Sequence, residues 1–145
     1  MRHTPSRRLC GLSLIMGFAV LAGACADDTV STPTTPTTSV TTDTFSGTLD
    51  RQGTSVNPFT VAATGTVTIS LTDVQPLTTM ALGVAIGTWD GTNCTALTPK
   101  NDNARAGSVA LSGTAGAGSY CVNVYDSGNV PPNFAVTYAV QVAHP

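Results

Sequence analysis

The sequence predicts an all-β domain, an antiparallel β-sandwich of about eight strands over residues 43–145. Three observations carry this. Apolar and polar residues alternate with period two through most of the stretch, the side-chain spacing of a strand with one buried face. Turn-forming residues separate the alternating runs at near-regular intervals. The chain has no Glu, and helix formers are scarce while Thr, Val, Gly and Ala abound, a composition read as opposing helix and suiting strands with turns.

The candidate strands follow in order. Phe45 to Leu49 and Phe59 to Ala63 are short runs. Val67, Ile69 and Leu71 then alternate with Thr66, Thr68, Ser70 and Thr72 after the Thr64-Gly65 turn. Met80, Leu82, Val84 and Ile86 alternate with Ala81, Gly83, Ala85 and Gly87. Asp90-Gly91, just after Trp89, reads as a tight hairpin turn because both central residues tolerate positive φ. Cys94 to Leu97 and Ser108 to Leu111 are the next short runs, separated by an expected loop at Asn101-Asp102-Asn103. Gly113 to Gly118 reads as a Gly/Ala-rich hairpin connection. Tyr120, Val122 and Val124 alternate with Cys121, Asn123 and Tyr125. Pro131-Pro132 blocks strand pairing ahead of a last run in which Phe134, Val136, Tyr138, Val140 and Val142 share one face. The expected core is Leu49, Phe59, Val61, Val67, Ile69, Leu71, Leu82, Val84, Ile86, Leu111, Tyr120, Val122, Val124, Tyr138, Val140 and Val142.

The N-terminus carries a different message. Arg2, His3, Arg7 and Arg8 precede an apolar run from Leu9 to Ala24, the build of a secretory signal peptide over residues 1–24. The run is shorter than the roughly 20 residues a bilayer span needs. Leu21-Ala22-Gly23-Ala24-Cys25 resembles a bacterial lipobox, which implies lipidation of Cys25 and a membrane anchor on the extracytoplasmic side of the cell envelope; ordinary cleavage after Ala24-Cys25-Ala26, an A-x-A site, is the competing reading. Residues 25–42, with TVSTPTTPTTSVTT from Thr29 to Thr42, read as a Thr/Pro tether reaching on the order of 40 Å at about 3.1 Å per residue.

Removing residues 1–24 leaves three basic against eight acidic residues, a net charge of −5. A basic face for nucleic acid is therefore missing from the expectation. Cys10 leaves with the leader, Cys25 is explained by lipid, and Cys94 and Cys121 are left to pair in an oxidising compartment. Cys121 is out of phase with Val122 and Val124, so the bond is expected on the face away from the core. Closing a loop of this length stabilises by roughly 3–4 kcal/mol on the chain-entropy model.

The pattern resembles the bacterial pre-peptidase C-terminal domain family over residues 43–145. The likeness rests on Phe45-Ser46-Gly47-Thr48-Leu49, Asn57-Pro58-Phe59-Thr60-Val61, the strand Gly65 to Leu71, Ala117-Gly118-Ser119-Tyr120-Cys121-Val122-Asn123-Val124-Tyr125-Asp126, and the closing strand Val136 to Val142. Asn57 and Phe59 stand where the family often has Asp and Tyr. The resemblance implies a sandwich of jelly-roll character and a non-catalytic accessory module. Some relatives bind polymers such as collagen, sometimes with calcium, and neither property transfers by matching residues.

The candidate chemistry is sparse. His144 is the one His after residue 24 and is expected as a frayed tail residue, not a triad base. Cys94 and Cys121 have no further ligands at zinc spacing. The oxygens of Asp73, Asp90, Asn101, Asp102, Asn103 and Asp126 are hard-cation donors in or near loops, which leaves calcium open, although Asx turns explain such residues more simply. Trp89 and Asp90 at the hairpin turn are the candidate ligand-binding residues, for aromatic stacking on a polysaccharide or contact with a protein polymer. No catalytic residue, enzymatic activity or other cofactor is expected. A structural lipoprotein without a ligand is the alternative.

Overall fold

The computed structural model describes residues 39–145. The expected leader and Cys25 lie outside the described residues. Eight strands follow one another: β1 (Thr41–Asp50), β2 (Thr54–Val61), β3 (Gly65–Gln75), β4 (Ala81–Trp89), β5 (Cys94–Arg105), β6 (Ser108–Ala115), β7 (Gly118–Tyr125) and β8 (Ala135–His144). β1 already includes Thr41 and Thr42, which pair with His144 and Ala143, so the ordered sheet reaches two residues into the expected tether.

Two four-stranded antiparallel sheets form, one in the order β1-β8-β3-β6 and the other β2-β7-β4-β5. The pairs are nested: β4 with β5, β3 with β6, β2 with β7 and β1 with β8. A long antiparallel ribbon wound on itself in this way is a jelly-roll. β1 and β2 run along one side of the sandwich, β5 and β6 along the other.

The core lies between the inner phases of the two sheets. Thirteen of the sixteen expected core residues are buried there, among them Ile69, Leu71, Val122 and Val140. Ile86, Leu111 and Tyr120 are instead half-buried, packed against the core from its margin. Val74 and Ala110 join the core against the simple alternation because β-bulges re-phase their strands. In β3, Leu71 faces Val140 and Asp73 faces Ala139, so Thr72 is the extra residue and Val74 turns inward. In β6, Ile69 faces Leu111 while Ser70 faces Val109, which leaves Ala110 as the inserted, inward residue.

Three expected connections are corrected. Asn101 to Asn103 is not a loop; it lies within β5, whose pairing with β4 shifts register twice. A polar segment holds strand geometry there because β5 is an edge strand with one solvated face. Gly113 to Gly118 is not a hairpin: β6 continues to Ala115, and Gly116-Ala117 carries the chain from one sheet to the other. The Asp90 turn spans four residues, since Trp89 pairs with Cys94, and Gly91 supplies the positive φ (+99°) while Asp90 does not.

β4 is buried on both faces. Its outer phase carries Gly83 and Gly87, and each is crossed by a bridge from β7 to β5. Over Gly87 runs the Cys94–Cys121 disulfide, with Cα atoms 5.9 Å apart, inside the limit of about 7 Å for a bridge. Over Gly83 lies the ring of Tyr125, whose hydroxyl donates to Asp102. The disulfide sits outside the core cluster, as the phase of Cys121 requires, yet Cys121 is itself fully buried.

Candidate functional site

The side of the sandwich between β5 and β6 does not close. An apolar cleft of about 230 Å³ opens there, lined by Val67, Ile69, Ile86, Leu97, Leu111 and Tyr120, with Pro99 and residues 112–116 along its rim. Its cause is local. Leu111, Gly113 and Ala115 are the inward residues of β6, opposite Ile69, Val67 and Gly65. Beyond Leu111 the edge strand therefore offers only small residues where the facing core needs cover. A Cβ added at Gly113 would meet nothing within 4 Å. Glycine inside a strand weakens it and marks places where a ligand or another backbone comes close.

The cleft is shaped for an apolar group. None of its lining residues is Asp, Lys, Arg or His. Tyr120 donates its hydroxyl to the Gly116 carbonyl at 3.1 Å and stacks on Phe59 with ring centroids 5.9 Å apart, so its ring is a fixed wall. A cavity of about 150 Å³ accepts benzene, so this cleft has room for one aromatic ring or a short aliphatic chain. It opens at the end of the sandwich where β1 begins, because Thr41 pairs with His144 and Gly65, opposite Ala115, lies against Pro145.

The residues singled out from the sequence lie elsewhere. Trp89 is half-buried at the end of β4, on the phase of Gly87, whereas Ile86 faces the cleft; the two lie on opposite faces of the strand. The Asp90 carboxylate accepts from the Asn93 amide (2.6 Å), the Thr92 amide (2.8 Å) and the Asn93 side chain (3.3 Å). Those bonds hold its pKa below the usual carboxylate range. Neither residue lines the cleft.

The other oxygen donors are spread among separate turns and strands. Asp126 accepts four backbone amides, from Gln52, Gly128, Asn129 and Val130, at 2.8–3.0 Å. Burial raises its pKa, but the four donors outweigh it and the net shift is downward. Asp102 is paired with Lys100 at 2.8 Å and with Tyr125; the lysine first and the hydroxyl second hold its carboxyl low. Burial, and then this carboxylate, push the Tyr125 pKa up to about 12. Asp73 accepts from Gln75, and Asn101 serves the Ala110 carbonyl and the Asn103 amide. Among the described residues no three His, Cys, Asp or Glu side chains converge as a metal site.

His144 is not a frayed tail residue. It continues the inward phase of β8, is 4% exposed, and packs on Phe59 with ring centroids 5.5 Å apart. Its Nε2 lies 3.1 Å from Oδ2 of Asp43 on the neighbouring strand β1. Pairing with β1 is what orders it, and a contact between residues 101 positions apart leaves no mark in the local sequence.

No protein-family model matches the chain, and no curated protein is significantly similar to it.

Proposed function

We propose that this chain is a non-catalytic accessory module of the cell envelope, anchored through lipid on Cys25 and binding an apolar group in the cleft between β5 and β6. The open space over Gly113 is the observation that carries the binding role. A domain under pressure for stability alone would place a branched residue there, since Val in a strand packs better and orders more cheaply than Gly. The lipobox-like run supports the anchor, and the accessory role rests on the sequence motifs that resemble pre-peptidase C-terminal domains. A non-catalytic role draws support from His144, whose ring is buried against Phe59 and bonded to Asp43 rather than facing the cleft. Trp89 and Asp90 remain as a second contact surface, with Asp90 acting through the shape of the turn it holds.

The test is a binding screen of the full chain against an apolar fluorescent probe, glycans, collagen-like polymers and calcium, beside Gly113→Val and Trp89→Ala. Loss of binding in Gly113→Val with the fold intact supports the cleft. Unchanged binding in Gly113→Val removes the cleft from the proposal. No binding to any arm favours a structural envelope lipoprotein.

A further inference from the structure

β6 is the outermost strand of its sheet, so one edge of its backbone has no neighbouring strand among the described residues. Natural sheets guard such edges with charge, proline or irregular pairing. The other edge strands do so. β1 carries Asp43 and Asp50; β2 carries Pro58; β5 carries Pro99, Lys100, Asp102 and Arg105 and shifts register twice. β6 reads Ser-Val-Ala-Leu-Ser-Gly-Thr-Ala, with neither charge nor proline, and its bulge at Ala110 leaves Leu111 to Ala115 regularly paired to β3. This unguarded length is the same stretch that rims the apolar cleft.

The two features ask for one kind of occupant. An open strand edge presents amide donors and carbonyl acceptors at strand spacing, and only an extended backbone satisfies them in series. The cleft beside it is apolar and takes a side chain of one ring or a short aliphatic chain. Gly113 is on the inward phase of this open edge, so no side chain of its own fills the cleft beside it. The absence of charge along both features matches an uncharged partner, since burying an ion there would go uncompensated. We propose that β6 receives an extended, uncharged polypeptide segment of a partner protein, which adds as a strand along Leu111–Ala115 and sets an apolar side chain into the cleft over Gly113. This deepens the cleft reading above and rests on it.

The experiment titrates the isotope-labelled full chain, in detergent-free buffer, with three probes. One is a seven-residue Thr/Val peptide with a central Leu and blocked ends. The second is the same peptide N-methylated at alternate residues. The third is a monomeric dodecyl maltoside, kept below its micelle concentration. The expected result is a peptide-induced shift of the backbone amides of residues 111–116, abolished in Gly113→Val. N-methylation should weaken binding by about tenfold or more, as the loss of one or two backbone hydrogen bonds requires. Equal affinity of the two peptides overturns strand addition. Binding of the maltoside without the peptide overturns it too, while leaving the cleft as a site for free aliphatic chains. Binding of none of the probes overturns both readings. A β6-mediated dimer that the peptide does not compete away makes a second copy the occupant and likewise refutes the proposal.

Discussion

Substituting Gly87 by Ala tests the bridged face of β4 directly. In an unobstructed strand the change stabilises, by about 0.5–1 kcal/mol, because Ala has less backbone entropy to lose. Here the new Cβ would lie 2.6 Å from the Thr95 carbonyl oxygen, 2.8 Å from Cys94 Sγ and 2.9 Å from Cys121 Sγ. The first neighbour is backbone and the other two are one covalent bridge, so none can swing aside as a free side chain does. Overpacking of this kind costs about 1–3 kcal/mol. The net expectation is a loss of about 1–2 kcal/mol with the disulfide intact, a fall in Tm of about 5–10 °C for a domain of this size. Cleaving the bridge frees two of the three obstructing atoms and leaves the Thr95 carbonyl, so the same substitution should then cost less than in the oxidised form. Reduction of the unsubstituted protein should by itself cost roughly 3–4 kcal/mol. Urea unfolding of both forms, oxidised and reduced, closes the double-mutant cycle. A penalty of equal size in both states, or a gain in the oxidised state, would refute the placement of the disulfide across Gly87.

Other outcomes follow from the same geometry. Asp126, whose pKa is lowered on folding, contributes stability that is present above the unfolded carboxylate pKa of about 3.9 and lost as pH falls through the lower folded value. Asp126→Asn should therefore flatten the acid limb of a Tm-versus-pH curve and cost about 1–2 kcal/mol near neutral pH; an unchanged acid limb counts against the four-amide cap. Tyr125, raised to about 12, favours the folded state up to the unfolded tyrosine value of about 10, and that contribution is lost as pH rises through the folded value. Absorbance titration at alkaline pH should show a late phenolate from Tyr125, and Asp102→Asn should move it downward by removing the negative charge beside the hydroxyl. Intact mass of the membrane-extracted protein should show acyl chains on an N-terminal Cys25; an unmodified N-terminus at Asp27 would refute the lipobox reading.

Most of the strands were legible because they keep one apolar phase long enough to outweigh their polar neighbours; the polar second half of β5 has no such phase and was read as a loop. Val67-Ile69-Leu71 and Val122-Val124 reveal both strand and face without any knowledge of partners. The same rule missed Val74 and Ala110, since a bulge is a relation between two strands and leaves no mark in the periodicity of one. It also misread Gly113, because glycine and alanine signal a turn locally and reveal a vacancy only when Val67 and Ile69 lie opposite. Asp90 and Asp126 read more simply as turn formers than as ligands from sequence, and the backbone amides they accept from are those of such turns.

By itself the sequence determined the sandwich, the pairing of Cys94 with Cys121 and the outward side on which that bond lies, because alternation and cysteine count depend only on order along the chain. Tertiary structure alone decided what crosses what. Gly83 and Gly87 became the floor beneath two bridges, His144 was ordered against Asp43 and Phe59, and β6 was left at an edge with small residues over an open core. Each of these depends on contacts between strands far apart in sequence, whose proximity arises from the nesting of the whole jelly-roll and not from any single run of residues.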